Sequence, residues 1–558
     1  MKKARFALFI LVCLAATTVS AIGLQNADPG TIQKHSGDVE EYYRLEKRLK
    51  KEASPDEKPQ IEDKTGGKPV EKHPNETRIA IKSIVTDESE ILSAEEIRQI
   101  TATYEGKEHT INDLFEMVGK LNDLYRSKGF ITAKALLPPQ KVEAGVVRIR
   151  LVEGRVGDVL VEGNEHTKES FFLRNVSLKR GDLVRLDVLE KDLAYFNAVN
   201  DVKIQATLKP GEQPGETNLV LKAVEPPNYE LSILADNAGT ETVGRERIGL
   251  KLADFSLFGY RDPLTLSGYV SEGTRTVFAG YSFPLNALGT RISAGYEFNR
   301  VDIQSGPFAD LDVGGDSYSY NINLNHPLIF SSAFTMNLFA GYQYNNSTTD
   351  FAGVTISRTE IDSVPLGFDF KLLDEYGLWY CRNTFTPGSE RGGENQNFFL
   401  YNLDLVRTLI HTSQVFTIIR GRAQLSDHHP LASTEQFQVG GLSSVRGYPE
   451  GFLVGDEGYF LSAELKFPLP CTDKVMFGSS LRESLKGSIF VDHGAAFPYK
   501  GNGMSSSRED FITGAGVGLS MNFSRYLTGR IDLGFPLAKH GQDIDSFQIH
   551  FTLQSMVF

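Results

Sequence analysis

The sequence predicts a transmembrane β-barrel of sixteen antiparallel strands, preceded by two small α+β domains and an N-terminal helix. From Tyr229 to Phe558, apolar and polar residues alternate in segments of about ten residues bounded by Gly, Asn, Asp or Pro, which is typical of membrane-spanning strands. After Ala21 the chain has no apolar run of the roughly 20 residues that a spanning helix needs. If the protein lies in a membrane, it must therefore cross it as a closed barrel.

The composition agrees with this fold class. The chain has 558 residues, more than one ordinary domain, of which 10% are aromatic and 52 are glycine. Its formal net charge of -13 argues against a nucleic-acid-binding protein, which would present a basic surface. An acidic chain rich in Gly, Tyr and Phe fits a barrel of the bacterial outer membrane.

Residues 1–21 are predicted to be a signal peptide. A basic start is followed by the apolar run Phe6–Ala16 and by small residues up to Ala21, after which cleavage is expected. The mature chain would keep Cys381 and Cys471, and their spacing does not decide whether they pair.

Residues 22–52 are predicted to hold a polar helix, because Asp38–Glu52 consists of strong helix formers with charges that pair along a helix. Residues 53–76 are rich in Pro, Lys, Glu and Gly and are predicted to be a flexible linker. The helix has few apolar residues with which to dock on a core, so a solvated helix on a disordered tail is one interpretation of this region.

Two α+β domains are predicted at residues 77–153 and 154–226, because the order strand, helix, helix, strand, strand occurs twice. In the first domain, Ser93 and Glu96 form a capping box, and a second helix begins near Thr110. Such a domain offers a sheet edge to which an extended polypeptide can add as a further strand.

The barrel is predicted to occupy residues 227–558. Its sixteen candidate strands share the alternating pattern and lie near residues 229–237, 245–256, 262–271, 274–283, 290–301, 316–325, 333–345, 358–370, 376–386, 396–407, 414–425, 457–467, 485–493, 511–522, 526–535 and 547–557. An even number is what a bacterial single-chain barrel requires.

The stretch Phe437–Gly451 is predicted to be an irregular loop, because its glycines and a proline prevent a regular strand or helix. At its centre stand Val445, Arg446, Gly447 and Tyr448. An Arg that leaves bulk water needs a carboxylate partner.

A later strand supplies such a carboxylate. Phe490 and Asp492 fall on one face of this strand, and Gly494 follows two residues on. A glycine-rich surface loop and an unrelated buried aspartate are the alternative interpretation of the two motifs.

Taken together, the two motifs resemble the signatures of the superfamily of outer-membrane assembly and secretion barrels. Their placement, with the loop between the eleventh and twelfth candidate strands, resembles that of two-partner secretion transporters. The resemblance implies that the loop folds into the barrel lumen and that Arg446 pairs with Asp492 on the thirteenth strand.

The α+β domains resemble POTRA domains, the periplasmic domains of the same superfamily. The first carries marks of the haemolysin-exporter type at Lys128–Thr132, Pro139-Gln140 and Val152–Gly154. The N-terminal helix and its linker resemble the helix that plugs the pore in many of these transporters. The terminal Phe558 resembles the signal that is read by the barrel-assembly machinery.

The resemblance implies that this protein, embedded in outer-membrane lipid, translocates one large β-rich partner such as a haemolysin or adhesin. POTRA domains in the periplasm would capture the unfolded partner. We expect no nucleotide to be used, since folding of the partner outside would offset the freedom lost by the extended chain.

Two alternatives remain open: a factor that inserts other barrels into the membrane, and a passive porin-like channel. Because no phosphate loop, hydrolase elbow or nucleophile-base grouping is apparent, we expect no enzyme activity and no cofactor. The segment Asp427–Pro430 contains two histidines, and we interpret it as a solvent-facing loop and not as a metal site.

Overall fold

The computed structural model describes residues 29–52, 60–65, 77–306, 308–331, 333–392, 395–427, 430–470, 474–476, 479–499, 510–523, 526–538 and 544–557. The predicted signal peptide, most of the predicted linker, Cys471 and Phe558 lie outside these residues. The chain forms two compact units. The barrel unit contains helix α1 (Pro29–Glu52) and the strands after Pro227, and the N-terminal unit contains Asp56–Pro226 with Phe258–Arg261.

The N-terminal unit contains two α+β domains. The elements of the first, together with one strand that precedes it, are β1 (Ile61–Asp63), β2 (Ile79–Ile81), β3 (Ser83–Thr86), α2 (Ala94–Thr101), β4 (Lys107–His109), α3 (Ile111–Ser127), β5 (Lys134–Leu136) and β6 (Val146–Val152). Strands β3, β6 and β5 form one sheet, with β6 central, and β2 pairs with β4. The predicted capping box of α2 is confirmed, since Ser93 and Glu96 bond reciprocally.

The elements of the second domain are β7 (Arg155–Glu162), α4 (Glu169–Leu173), α5 (Leu186–Val199), β8 (Lys203–Pro210) and β9 (Glu216–Val224). Its core is formed by aromatic residues of the two helices, Phe171, Phe172 and Phe196, on the apolar face of the sheet. The sheet order is β1-β8-β9-β7. The short strand β1, from the region predicted to be a linker, thus pairs in parallel with β8 at the sheet edge.

The barrel unit forms a closed antiparallel sheet. Its strand segments are β10 (Tyr229–Asp236), β11 (Arg247–Asp254), β12 (Leu264–Val270), β13 (Thr274–Pro284), β14 (Arg291–Asp302), β15 (Val313–Phe330), β16 (Phe334–Phe351), β17 (Val354–Ser363), β18 (Leu366–Asp374), β19 (Gly377–Arg391), β20 (Asn397–Ile410), β21 (Phe416–Ser426), β24 (Glu457–Pro468), β27 (Leu485–Phe497), β28 (Phe511–Phe523), β29 (Leu527–Pro536) and β30 (Gln548–Met556). Two short hairpins, β22 (Phe437–Val439) with β23 (Leu453–Gly455) and β25 (Val475–Met476) with β26 (Ser479–Ser480), and the helix α6 (Leu481–Ser484) lie between barrel strands. The barrel closes where β10 pairs with β30.

Segments β17 and β18 occupy one strand position, because both pair with β16 on one side and with β19 on the other. The interruption falls at Pro365, which has no backbone N–H to donate to the ladder. The described residues therefore form sixteen strand positions, which confirms the predicted fold class.

Helix α1 begins nine residues before the predicted start at Asp38. Its first nine residues include Gly30, Gly37, Thr31 and Ser36, which are weaker helix formers than the charged residues that follow. Burial stabilises this half of the helix, since Ile32, for example, packs among apolar residues of the barrel unit. Among the described residues, no helix combines the length and apolar character needed to span a bilayer.

Candidate functional site

Between β21 and β24 the chain turns toward the barrel wall, and we call the described residues of this connection, 427 and 430–456, the inward loop. Strands β22 and β23 of this loop pair with each other and hold together the two ends of the segment between them. Val439, Val445 and Tyr448 of the loop are fully buried and pack in one core with Phe460 and Ile512 of the wall. The loop is therefore part of the folded interior and not a surface loop.

The loop lies on the inner face of the barrel. The wall residues that Arg446 contacts, among them Ser462 and Asp492, are buried. They alternate along their strands with Leu461, Val491 and Ile531, which are 52%, 55% and 44% exposed and so face outward. Since successive side chains of a strand point to opposite faces, the residues that contact the loop point into the lumen.

The structure brings Arg446 and Asp492 into direct contact. The Arg446 guanidinium donates through Nε to Asp492 Oδ2 at 2.8 Å and through Nη2 to Oδ1 at 2.9 Å. The Arg446 backbone amide donates to the same Oδ2 at 3.1 Å. Both side chains are fully buried, so this is a bidentate, charge-assisted pair removed from bulk water.

Phe490, on the same face of β27 as Asp492, lies under the cation. The guanidinium carbon of Arg446 is 3.5 Å from the centre of the Phe490 ring, which places the charge over the electron-rich face. The motif residue Phe490 thus stacks against the same guanidinium that Asp492 binds.

Two further carboxylates reach Arg446. Its Nη1 lies 3.0 Å from Glu464 Oε2 and 3.5 Å from Asp532 Oδ2. We call Glu464, Asp492 and Asp532 the wall carboxylates. Arg530 also binds Glu464 and Asp532, so this cluster contains more than one cation.

Lys466 completes the cluster, with Nζ 3.6 Å from Glu464 Oε1. The three wall carboxylates therefore face three cations, which are Arg446, Arg530 and Lys466. A formally neutral cluster avoids the large cost of an uncompensated buried charge.

Glycines allow the backbone of the loop to approach the wall. Gly447 has φ +103, a conformation that side-chain-bearing residues rarely adopt. A Cβ at Gly514 on β28 would lie 1.9 Å from the Arg446 carbonyl oxygen, and one at Gly534 on β29 would lie 2.5 Å from the Gly447 nitrogen. Both wall glycines leave the space that the loop backbone fills.

The remaining motif residues fix the loop tip. The Tyr448 hydroxyl lies 2.7 Å from the Ala538 carbonyl oxygen and 3.1 Å from that of Thr513. A Cβ at Gly494 would lie 2.7 Å from a side-chain methyl of Val439 in the loop. Tyr448 therefore anchors the tip, and Gly494 leaves room for β22.

Sequence reasoning missed Glu464, Asp532 and Arg530 as members of the site. The sequence did contain one signal for them, which is a charged residue that alternates with apolar residues along a strand. Each of the three has apolar neighbours in sequence, such as Leu465 and Ile531, and so stands at an inward position. Several charged side chains point into the lumen, and the strand register decides which of them contact one another. That register cannot be read from one sequence.

Helix α1 lies inside the barrel and contacts its inner wall. Arg422 of β21 donates to Asp38 at 3.0 Å and to Glu41 at 2.9 Å. On the opposite side of the helix, the Tyr43 hydroxyl donates to Asp236 of β10 at 3.1 Å. The helix is thus fastened to the wall by polar side chains in addition to the apolar packing of residues such as Ile32.

Helix α1 also meets the inward loop. Gln438 of β22 donates to the Thr31 carbonyl oxygen at 2.7 Å, and His35 Nε2 lies 3.4 Å from the buried carboxylate of Glu450. Burial alone would raise the pKa of Glu450, but its interactions with His550 and His35 outweigh that effect and lower the pKa. Glu450 therefore favours its charged form while it lies between the two imidazoles.

Beside α1 the lumen contains a cavity of about 670 Å³. Its lining includes polar and charged side chains of the helix and of the wall, such as Lys34, Glu41, Asn321, Arg382 and Asp404. The helix therefore fills part of the lumen, and the rest has a lining that suits water.

No group of three or more His, Cys, Asp or Glu side chains in the part of the chain that the structure describes is arranged to hold a metal ion. The predicted solvent-facing histidines, His428 and His429, lie outside the described residues. Cys381 is buried as a free thiol.

Comparison with known proteins identifies the family. The profile of the family described as "Haemolysin secretion/activation protein ShlB/FhaC/HecB" matches residues 215–521, and that of "POTRA domain, ShlB-type" matches residues 79–154. These matches confirm the resemblance that the loop, strand and domain motifs predicted.

Curated relatives match over most of the chain. The heme/hemopexin transporter protein HuxB of Haemophilus influenzae strain 86-028NP is 27% identical over 452 residues, which cover 77% of this chain and 78% of the relative. The outer membrane transporter CdiB of Dickeya dadantii is 22% identical over 499 residues, with 82% and 83% covered.

The solved structure of CdiB from Escherichia coli has the same fold, with a TM-score of 0.63 at 20% identity, and the likeness covers 95% of this chain and 99% of that one. Because the family profile matches more than half of the sequence, the family is established. This chain belongs to the ShlB/FhaC/HecB family of haemolysin secretion/activation proteins and is an outer-membrane transporter of the two-partner secretion type.

Proposed function

We propose that this transporter exports one large β-rich protein through the barrel lumen, that its POTRA domains capture this partner unfolded, and that α1 is a removable plug. The observation that supports the proposal most strongly is the polar attachment of α1 inside a polar lumen. Hydrogen bonds and ion pairs to Arg422, Tyr269 and Asp236 can be replaced by water when the helix leaves.

Capture by strand addition is supported by the pairing of β1 with β8. Residues Ile61–Asp63 form three register pairs with Ala206–Leu208, and the Lys64 amide donates to the Leu208 carbonyl oxygen at 2.9 Å. The edge of the second domain thus accepts an extended segment. A partner strand that took this edge would displace β1 and free the segment that leads to α1.

For the inward loop we propose a structural role during export. The Arg446–Asp492 pair, with Phe490 under the cation, joins the loop to the wall of the lumen and so keeps it beside the path of the exported chain. No nucleotide enters this proposal, since folding of the partner outside the cell offsets the freedom lost by the extended chain.

Biogenesis is a separate part of the proposal. We infer that the barrel is inserted into outer-membrane lipid by the barrel-assembly machinery, since it is a closed antiparallel sheet.

Deletion of the gene, followed by identification of the proteins at the cell surface and in the medium, tests the function. We expect one large protein to disappear and to return when the gene is supplied on a plasmid. A general loss of outer-membrane barrels would indicate an assembly factor, and unchanged surface and secreted proteins would indicate a passive channel. Either result would contradict the proposal.

A further inference from the structure

Arg530 of β29 stands between helix α1 and the inward loop. Its Nη1 donates to the Tyr42 hydroxyl of α1 at 3.0 Å. Its Nε donates to Asp532 Oδ2 and its Nη2 to Glu464 Oε2, both at 2.7 Å. One buried guanidinium therefore binds the helix and two wall carboxylates at once.

The same two oxygen atoms also bind Arg446. Glu464 Oε2 is 3.0 Å and Asp532 Oδ2 is 3.5 Å from Arg446 Nη1. The two arginines thus share acceptors, and each shared oxygen lies closer to Arg530 than to Arg446. Each shared oxygen divides its charge and its lone pairs between the two guanidinium groups, so a stronger hold by Arg530 weakens the hold on Arg446.

Tyr42 is held from a second side. It is 5% exposed, and the guanidinium carbon of Arg420 on β21 lies 4.8 Å from the centre of its ring. Nη1 of Arg420 also lies 3.5 Å from the Ser443 carbonyl oxygen of the inward loop. Tyr42 therefore contacts two wall arginines, each of which also touches the loop or its carboxylate partners.

We propose that Arg530 is a positioning residue that couples the presence of α1 in the lumen to the seating of the inward loop, with Tyr42 as the contact on the helix. While α1 is present, Arg530 gives one nitrogen to Tyr42 and shares Glu464 and Asp532 with Arg446. When α1 leaves, Arg530 turns fully to these two carboxylates, and Asp492 is the wall carboxylate that still holds Arg446. Departure of the helix thus loosens the loop.

This coupling rests on the proposed function, in which α1 leaves the lumen during export, but its test needs no exported partner. The probe is a thiol in the loop, Ser443→Cys, in protein that lacks the predicted signal peptide with Cys13 and in which Cys381 and Cys471 are replaced by serine. The purified protein in lipid vesicles is treated with a maleimide reagent, and the rate at which the thiol at position 443 is labelled is measured. Faster labelling reports release of the loop.

Tyr42→Phe removes the hydroxyl that Arg530 binds and keeps the buried ring. We expect this change to raise the labelling rate about tenfold, which corresponds to the loss of one hydrogen bond to a charged donor. The matched control is Tyr281→Phe on β13, which removes a hydroxyl that donates to Asp262 at 2.9 Å and belongs neither to α1 nor to the inward loop. We expect the control to change the labelling rate less than about twofold.

A second comparison isolates Arg530. In an Arg530→Gln background, Tyr42→Phe should not change the labelling rate further. The heat-modifiable mobility of a folded barrel shows whether the Arg530→Gln variant has folded. If it has not, Arg530→Lys is used as the background instead. Equal effects of Tyr42→Phe and Tyr281→Phe, no effect of Tyr42→Phe, or its full effect without Arg530 would each overturn the coupling. These outcomes would leave the export function to be decided separately by the gene deletion.

Discussion

At the scale of single residues, the site depends on a buried cation whose partners come from separate strands. Arg446 of the loop meets Glu464 on β24, Asp492 on β27 and Asp532 on β29. Removing one member of a buried ion pair leaves the other uncompensated, which costs about 3 to 5 kcal/mol in a dry site and less in a wet lumen. The loop is therefore sensitive to substitution at this position.

We expect Arg446→Ala to lower export of the partner strongly while the barrel is inserted normally, because the strands pair without the loop. The measurement is the amount of secreted partner relative to the amount of heat-modifiable barrel in the outer membrane. Arg300→Ala is the matched control, since Arg300 forms a half-exposed ion pair with Asp316 away from the loop. Normal export by Arg446→Ala at normal barrel abundance would exclude the proposed role of the loop.

The wall glycines lead to a second prediction. Gly514→Ala would place a Cβ 1.9 Å from the Arg446 carbonyl oxygen, so the loop backbone must move, and overpacking of this kind costs about 1 to 3 kcal/mol. We expect faster proteolysis of the inward loop. At Gly529 on β29, the nearest atom to a Cβ is the flexible end of Met521, so Gly529→Ala should leave proteolysis unchanged. Equal rates for both variants would contradict the packing argument.

The sequence identified Arg446, Asp492 and their motif neighbours because those residues stand in recognisable loop and strand patterns. Alternation placed Phe490 and Asp492 on one face of their strand, the family resemblance implied that this face lines the lumen, and the structure has both residues buried there. Glu464, Arg530 and Asp532 were not identified, because their importance arises from strand register and from which charges the loop reaches.

At the scale of elements, α1 illustrates the limit of helix propensity. The sequence predicted its charged second half and missed its first half, Pro29–Gly37, where two glycines lower helix propensity. That half is helical because it is buried in the barrel, and the burial cannot be inferred without the lumen around it. Proline at the first helical position is favourable, since its missing N–H is not needed there.

Gly37 offers a direct test of α1 as the plug. It is exposed, and a Cβ at this position would meet no atom within 4 Å. Gly37→Ala should therefore favour the helix by about 1 kcal/mol without a clash. We expect the channel of the Gly37→Ala variant to show large openings less often than the wild-type channel in planar lipid bilayers. The control is Gly119→Ala in α3, which also meets open space and should leave the frequency of channel openings unchanged. More frequent openings of the Gly37→Ala variant would count against a helical plug.

The first POTRA domain leads to a prediction about pH. Hydrogen bonds from Lys128 and from Ser93 lower the pKa of Glu96 from 4.5 to about 2. Because the pKa is lower in the folded state, the ionised carboxylate stabilises the domain above pH 4.5, and this contribution is lost as the pH falls toward 2.

We therefore expect the difference in melting temperature between wild-type and Glu96→Gln forms of residues 56–226 to shrink on acidification below about pH 4.5. Circular dichroism measures this difference. Glu95→Gln, in the same first turn, is the control, because Glu95 has no hydrogen bond to Lys128 among the described contacts. A difference for Glu96→Gln that is constant from neutral to acidic pH would refute the assigned hydrogen bonds.

Motif residues of this domain also have structural roles that the sequence did not reveal. Glu153 accepts hydrogen bonds from the Glu90 amide at 3.0 Å and the Tyr125 hydroxyl at 3.2 Å, and so ties the loop before α2 to the sheet. A Cβ at Gly154 would lie 2.2 Å from Thr132 Oγ1. The family marks in this domain thus include residues that hold its own loops together.

At the scale of the whole molecule, alternation along the chain together with the family resemblance predicted sixteen strands, and the eighth position is built from β17 and β18. Polar-apolar alternation reports which residues face lipid, and that pattern survives a break at Pro365. The addition of β1 to the edge of β8 was missed, because three residues in a polar segment carry no strand pattern. The position of α1 inside the barrel also followed from the family resemblance and not from periodicity.

The central claim is that the partner crosses the membrane through the lumen, and photo-crosslinking from adjacent positions on β15 tests it most directly. Asn321 lines the lumen cavity beside α1, whereas its neighbour Ile322 is 53% exposed on the outer face. With a photo-reactive amino acid at each position in turn, and a partner stalled during export, we predict crosslinks to the partner from position 321 and none from position 322. Crosslinks from position 322 with none from position 321 would show that the partner takes a path outside the barrel.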